Sequence, residues 1–280
     1  MVARSARRRS ARTQSAGRRA ANSRLMSWLA RAGLAARGVM YGLIGLIAIE
    51  IALGTSSQQA DRSGALRLVA ANPFGKVILW LLVVGFAGLT LWRLSEAAFG
   101  AAGPDGHKTS ARLICLIKAI IYGALTYSVL KYALGLGAPS STNQQSQDLT
   151  ATAMKHPGGQ VLVAIAGIIV AGVGLYLAYQ AYERKFLREM RMGSASPRTR
   201  KAVTWLGQVG SVARGAVFVT VGIFLVVAAV EAKPGQAKGI DSALRALAHT
   251  PLGPWLLGLV AIGLVLFGIY SCCEARWRQV

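Results

Sequence analysis

The chain has 280 residues, of which 54% are hydrophobic and only 15% are charged, and its mean hydropathy is +0.45. Soluble globular proteins carry about 25% charged residues, and a soluble chain this apolar would expose large hydrophobic patches. The composition also excludes disordered, collagen-like, coiled-coil and disulfide-scaffold proteins. We therefore expect an integral membrane protein.

Residues 1–27 form a basic tail before the first apolar stretch. Its first 24 residues contain eight arginines and no acidic residue. We expect a disordered segment that lies against anionic lipid headgroups. An organelle transit peptide, which is also rich in Arg and Ser, is an alternative. Nucleic-acid binding is not expected, because neither aromatic residues nor a nucleic-acid-binding fold accompanies the arginines.

Six apolar stretches follow the tail, and each is long enough to cross a bilayer as a helix, which takes about 20 residues. They cover roughly 33–53, 76–99, 113–135, 159–182, 206–230 and 254–275. We therefore predict an all-α polytopic integral membrane protein with six transmembrane helices.

The basic residues predict the orientation of these six helices. If the N-terminus is cytoplasmic, 24 Lys and Arg residues lie on the cytoplasmic side and 8 on the other, whereas the acidic residues divide equally. Cytoplasmic loops carry the excess of Lys and Arg in membrane proteins. We therefore expect a multi-pass protein of the cell (plasma) membrane with both termini in the cytoplasm.

An internal repeat organises the six helices into three pairs. The segment Gly33-Leu-Ala-Ala-Arg37-Gly38 recurs as Gly210-Ser-Val-Ala-Arg214-Gly215, and a more divergent copy lies around Lys118. We therefore divide the chain after the tail into repeat 1 (28–103), repeat 2 (104–197) and repeat 3 (198–280).

The connection within each repeat also recurs. Pro73-Phe-Gly75 matches Pro157-Gly-Gly159 and Pro251-Leu-Gly253. We predict a short amphipathic helix in the outer interface before each proline, with Asp241 as an N-cap. Because every repeat crosses the membrane twice, all three have the same orientation, and we predict three parallel hairpins with pseudo-threefold symmetry about the membrane normal.

These motifs carry a resemblance to a known family. The Ala-Arg-Gly-Val-x-Tyr opening at Arg37, the Ser63-Gly-Ala-Leu-Arg67 turn, Pro73-Phe-Gly75 and the Trp92-Arg-Leu-x-Glu96 close are similar to the bacterial family called domain of unknown function 1206. The resemblance covers about 28–278 and implies three two-helix membrane repeats. It implies no activity.

One set of polar residues recurs near the cytoplasmic ends of the predicted helices. Each first helix carries a cation and each second helix an acid or amide, at equivalent positions: Arg37, Lys118 and Arg214, with Glu96, Gln180 and Glu274. Charges inside a membrane are costly, so we expect them to be paired. The pairs either clasp the two helices of one hairpin, Arg37 with Glu96, or line the mouth of a central path. Local pairing on one helix, Glu96 with Arg93 and Glu274 with Arg278, is a further alternative.

A second set lies near the outer ends. Glu50 and Lys131 occupy the same repeat position, where repeat 3 has Val227. They form either an inter-repeat salt bridge or two separate side chains that reach the outer headgroups.

Two functions fit these features. We expect a non-enzymatic structural or regulatory component of the membrane; the alternative is a small channel or carrier for an ion or small solute along the threefold axis. No catalytic, metal-binding or cofactor-binding motif is present, so we expect no catalytic residue, metal or cofactor. The sequence identifies no protein partner.

Cysteine labelling tests the predicted orientation. In a background without the native thiols, single cysteines near Ser57 and Gln236 should react with an impermeant reagent added outside intact cells. Cysteines near Lys108 and Ser196 should react only after permeabilisation. Outside labelling near Ser196 would contradict the six-helix topology.

Overall fold

The computed structural model describes residues 24–100, 108–193, 195–248 and 253–278. This part of the chain forms nine α-helices and two short 3₁₀ segments, Lys185–Glu189 and Pro234–Gln236, with no β-strand. The α-helices are α1 (Arg24–Ala52), α2 (Arg62–Ala70), α3 (Gly75–Phe99), α4 (Thr109–Ala133), α5 (Thr142–Met154), α6 (Gly159–Tyr182), α7 (Pro197–Val230), α8 (Ile240–Ala248) and α9 (Gly253–Trp277).

Six of these helices are long and apolar enough to cross a membrane: α1, α3, α4, α6, α7 and α9. The protein is therefore an all-α polytopic membrane protein, as the sequence predicts. Helices α2, α5 and α8 lie in the connections at one end of the long helices, which we call the short-helix end. The end at which α1 begins and α9 finishes is the terminal end.

Two long helices extend beyond the apolar stretches at the terminal end. Helix α1 begins at Arg24, so the last residues of the predicted basic tail are helical, while residues 1–23 lie outside the described part of the chain. Helix α7 begins at Pro197, and the Ser196 hydroxyl accepts a hydrogen bond from the Thr199 amide at 3.2 Å. This capping starts the helix in polar sequence, where hydropathy gives no signal.

The glycine that ends the repeated Pro-x-Gly motif lies tightly against the preceding short helix in all three repeats. A Cβ placed on Gly75, Gly159 or Gly253 would lie 2.2, 1.9 or 1.7 Å from a carbonyl oxygen of the preceding short helix. No side chain fits there, so glycine is what allows each short helix to fold directly back onto the next long helix.

The long helices pack in the order α4–α3–α1–α9–α7–α6. Between repeats, the second long helix of one packs on the first long helix of the next: α3 on α4, α6 on α7 and α9 on α1. Within repeats, α1 packs on α3 and α7 on α9, but α4 and α6 share no comparable interface. The predicted hairpins therefore form in repeats 1 and 3, whereas the two long helices of repeat 2 are apart.

Close glycine contacts hold α6 against α7 in the next repeat. Gly167 and Gly222 bring α6 and α7 into backbone contact, since a Cβ on Gly167 would lie 2.8 Å from the Gly222 carbonyl oxygen. Gly174 and Gly215, seven residues away on each helix, make the same contact. Such small residues allow close helix packing in membranes. Helix α6 is thus held by α7 and not by its own partner α4.

One apolar cluster fills the interior towards the short-helix end. It joins α1, α4 and α7, the first long helices of the three repeats, to α3 and α9 and to the short helices α2 and α8. Its members include Ile44, Ile47, Ala48, Leu66, Val129, Val217, Leu244 and Leu257, all of them buried. Side chains fill the interior at this level and pack closely, as they do in other protein cores.

Hydrogen bonds connect the short-helix ends of the three repeats in a cycle. Asp61, the N-cap of α2, accepts from the Thr142 amide in repeat 2 at 2.6 Å. Asn143 Oδ1 accepts from the Gly239 amide in repeat 3 at 2.7 Å. Asp241 Oδ1 accepts from the Ala60 amide in repeat 1 at 2.8 Å. Each repeat thus satisfies backbone donors of the next one.

The predicted N-cap role of Asp241 is therefore wrong. Helix α8 begins at Ile240, so Asp241 lies inside its first turn. The amides of Gly239 and Ser242 at the start of this helix donate instead to Asn143 Oδ1 of repeat 2. The carboxylate of Asp241 is consequently free to reach repeat 1.

Two arginines make further contacts between the repeats at the short-helix end. Arg245 ion-pairs with Asp241 at 3.1 Å and donates to the Gln58 carbonyl at 2.8 Å. Arg62 donates to Gln145 Oε1 at 3.3 Å. Burial lowers the pKa of Arg62, and the adjacent charge of Asp61 opposes that shift.

Replacing Asp61 tests the cycle. Asp61 is fully buried and also accepts from the Ser63 and Gly64 amides. In Asp61→Asn an amide NH₂ would face these donors, so we expect a loss of about 2–3 kcal/mol in unfolding free energy. The measurement is denaturant unfolding in one detergent. Asp148→Asn, at an exposed position on α5, is the matched control and should change stability by less than about 0.5 kcal/mol. Equal effects would contradict a structural role for the cycle.

Candidate functional site

The first set of predicted polar residues lies towards the terminal end of the long helices. Arg37, Lys118 and Arg214 lie on α1, α4 and α7, the first long helix of each repeat. Their predicted partners lie on the second long helices: Glu96 on α3, Gln180 on α6 and Glu274 on α9.

Arg37 forms an ion pair with Glu274 and not with the predicted partner Glu96. Both partners are buried, and Arg37 Nε also donates to the Ser271 hydroxyl at 3.2 Å. The Arg37 guanidinium lies 5.5 Å from the centre of the Phe267 ring. The pair therefore joins repeat 1 to repeat 3. It is a clasp between repeats, because α9 packs on α1.

Glu274 also bonds a second arginine. Its other carboxylate oxygen accepts from Arg278, one turn further along the chain, and Arg278 in turn pairs with Glu189 in the connection before α7. The predicted local pair of Glu274 with Arg278 thus exists together with the inter-repeat pair. A buried carboxylate with two guanidinium partners is well compensated for its loss of water.

The corresponding acid in repeat 1 has a local partner. Glu96 accepts from Arg93 at 2.6 Å, and the Cys115 thiol of α4 lies 3.7 Å from the same oxygen. Arg93 stacks on the Trp92 ring at 4.2 Å. Lys118, one turn after Cys115, is exposed and forms no hydrogen bond or ion pair within the described ranges. The local alternative therefore holds for Glu96.

In repeat 2 the position of the acid is occupied by an amide, Gln180. In repeat 3 the arginine, Arg214, has no carboxylate partner in the described chain. Gln180 donates to the Tyr176 hydroxyl on its own helix at 2.8 Å. Arg214 lies 5.0 Å from the Phe267 ring and 5.4 Å from the Tyr41 ring, and its Nε is buried without a hydrogen-bond acceptor. Aromatic faces attract this cation without neutralising it.

The tyrosine Tyr122 connects the cations of different repeats, and the sequence analysis did not single it out. It lies on α4 one turn after Lys118, and Arg37 and Arg214 are among its neighbouring charges. Lys118 is in turn within electrostatic range of Arg93 and Arg278. Tyr41, Tyr122 and Phe218 each follow one of the repeat cations by four residues, a spacing that could have indicated an aromatic layer.

Among the described residues, the charge cluster at the terminal end consequently holds more cations than carboxylates. Five cations gather there with three carboxylates: Arg37, Arg93, Lys118, Arg214 and Arg278, with Glu96, Glu189 and Glu274. Lys118 and Arg214 are the two cations of this cluster without an ion-pair partner. The arrangement can attract an anion.

The predicted salt bridge between Glu50 and Lys131 does not form. Both residues are exposed, and no ion pair joins them in the part of the chain that the structure describes. The inward side of α1 is the stripe of Arg37, Ile44 and Ile47, and Glu50 lies on another side of the helix. Lys131 lies alongside its own connection at Gly137. Glu50 and Lys131 are therefore two separate side chains, which is the alternative that the sequence left open.

A double-mutant cycle tests the inter-repeat clasp. Arg37→Gln or Glu274→Gln alone should reduce the unfolding free energy by about 3–5 kcal/mol, because either change leaves a buried charge uncompensated. Combined, the two should show a coupling energy of about 1–3 kcal/mol. The matched control is the cycle that combines Arg37→Gln with Glu96→Gln. Its coupling energy should be less than about 0.5 kcal/mol. Stronger coupling to Glu96 would restore the hairpin clasp.

Comparisons with known proteins agree with the three-repeat fold. A family model described as Domain of Unknown Function (DUF1206) matches residues 32–100, 114–184 and 209–278. The uncharacterized protein YxxB of Bacillus subtilis (strain 168) is 28% identical over 254 residues, which cover 89% of this chain and 90% of that protein. No solved structure matches the chain. Neither description names an activity.

Proposed function

The chain belongs to the family described as Domain of Unknown Function (DUF1206), and we propose that it is a non-enzymatic structural or regulatory component of the membrane. One observation carries this proposal: the three first long helices all contribute to one buried apolar cluster, which also includes α3 and α9 and continues into α2 and α8. A solute path along the threefold axis would need a hydrated lining at this level. Packed Ile, Leu and Val side chains provide none.

The polar groups at the short-helix end support the same proposal. Asp61, Asn143 and Asp241 accept hydrogen bonds from backbone amides of other repeats. Buried polar groups that are satisfied in this way hold a structure in one arrangement. They are used for assembly of the three repeats, and a binding role would require breaking these bonds.

We assign the protein to the plasma membrane of a bacterium, with both termini in the cytoplasm. The support is the unequal distribution of Lys and Arg, 24 against 8 across the six helices. In this orientation the basic tail would meet the anionic lipids of the cytoplasmic leaflet. The cation cluster at the terminal end would then lie near that same leaflet.

A carrier for small anions is the second candidate. The observation that favours it is the pair of cations without carboxylate partners, Lys118 and Arg214, inside the terminal end. The apolar cluster would have to open for such a carrier to work, and it lies between these cations and the short-helix end.

Flux measurements distinguish the two candidates. Full-length protein reconstituted in liposomes should release trapped chloride and phosphate no faster than protein-free vesicles, because the apolar cluster excludes water and ions. The Arg214→Gln variant, reconstituted at the same density, should behave identically. Saturable release of an anion by the wild-type protein, lost in Arg214→Gln, would replace the structural proposal by the carrier.

A further inference from the structure

The two long helices of repeat 2 leave a lateral opening in the helix assembly. The packing order ends at α4 on one side and at α6 on the other. Only 17% of the apolar stretch of each is buried, against 56% for α1 and 50% for α3 and α9. Threefold symmetry would close this position with the contact that α1 and α3 make in repeat 1. We call the space between α4 and α6 the repeat-2 opening.

The walls of the repeat-2 opening are apolar. Exposed residues of α4 include Leu113, Ile114, Leu116, Ile117, Ile120 and Ile121. Because successive residues are 100° apart on a helix, this set covers one face of the helix about 160° wide. Helix α6 is buried along the single stripe of Val163, Gly167, Gly174 and Ala181 and exposes the remainder. Both helices that border the opening therefore carry broad exposed apolar faces.

The terminal end of the opening is cationic. Lys118 is exposed on α4 without an ion-pair partner, and Arg214 lies on α7 beside α6 with a buried Nε that has no acceptor. Tyr122 lies one turn from Lys118 and within electrostatic range of Arg214. These groups place two cations towards the terminal end, with the Arg214 guanidinium against the Tyr41 and Phe267 rings, and no carboxylate among the described residues pairs with either cation.

The depth of Lys118 suits a lipid headgroup. It precedes the end of α4 at Ala133 by about 22 Å at a rise of 1.5 Å per residue. In a hydrocarbon layer about 30 Å thick its backbone would be about 8 Å from the boundary at the terminal end. A lysine side chain can extend along an apolar surface to such a boundary.

We propose that the repeat-2 opening binds one anionic phospholipid. Lys118 and Arg214 hold its phosphate, the Tyr122 hydroxyl donates a hydrogen bond to it, and its acyl chains lie between α4 and α6. Charge complementarity and the apolar walls together select this occupant. A second copy of the chain is a poor match, because its net charge is also +22 and it would bring further cations to a cationic site.

Lipid retention by the purified full-length protein tests the proposal. The probe is phosphatidylglycerol, with phosphatidylcholine as the neutral comparison, and the bound lipid is counted by native mass spectrometry from detergent. One phosphatidylglycerol should stay bound to the wild-type protein. Lys118→Gln and Arg214→Gln should each reduce its occupancy about tenfold, since each removes one phosphate contact. Lys131→Gln, near the opposite end of α4, is the matched control and should retain the lipid.

Further variants separate loss of binding from loss of folding. Lys118→Arg and Arg214→Lys keep the charge and should retain most of the lipid, while far-ultraviolet circular dichroism verifies the helix content of every variant. The basic tail is present in all of them, so its own lipid contacts cancel in the comparison.

Three results would overturn the proposal. The first is equal phosphatidylglycerol occupancy in Lys118→Gln, Arg214→Gln and the wild-type protein. The second is equal retention of phosphatidylcholine, or displacement of the lipid by millimolar inorganic phosphate, which would indicate a free-anion site. The third is a lipid-free dimer, which would indicate a second copy in the opening. The flux assay is independent of these outcomes, so failure here leaves the proposed function to its own test.

Discussion

The contact between the second long helix of one repeat and the first long helix of the next determines the rest of this structure. Glycines make that contact close in two of three cases, with Gly38 against Gly268 between α1 and α9, and Gly167 against Gly222 between α6 and α7. Van der Waals packing of small residues is the principal way in which helices associate in lipid. Charge pairs and short helices then follow an arrangement that the backbone contacts have established.

This arrangement explains why the repeated charges behave differently in each repeat. Arg37 reaches Glu274 because α9 lies against α1. The same geometry would place Lys118 near Glu96 and Arg214 near Gln180. Glu96 instead bonds Arg93, and Gln180 offers no charge. Among the described residues, one symmetric pattern therefore yields one inter-repeat clasp and two cations without an ion-pair partner, Lys118 on α4 and Arg214 on α7.

The sequence was sufficient for the six long helices, the three repeats and the short helices before the Pro-x-Gly motifs, because hydropathy, length and repeated motifs are local signals. Pairing of the charges was not predictable in the same way. Equivalent positions recur in every copy, so Arg37 could meet Glu96 or Glu274 with equal justification until the order of the helices was known. The hydrogen-bond cycle of Asp61, Asn143 and Asp241 was also hidden, since its donors are backbone amides of other repeats. The gap between α4 and α6 is also not predictable in this way, because the absence of a contact gives no signal in the sequence of either helix.

The clasp between Arg37 and Glu274 has a consequence for biosynthesis. The two residues are 237 positions apart in the chain, so the ribosome delivers Arg37 to the membrane long before its partner exists. During that interval the nascent chain holds an arginine that only water, headgroups or the insertion machinery can accommodate. The same delay applies to Ala60, whose amide waits for Asp241. Arrival of α8 and α9 therefore closes the assembly at both ends of the long helices, and a chain truncated before α9 would retain an arginine without its carboxylate partner.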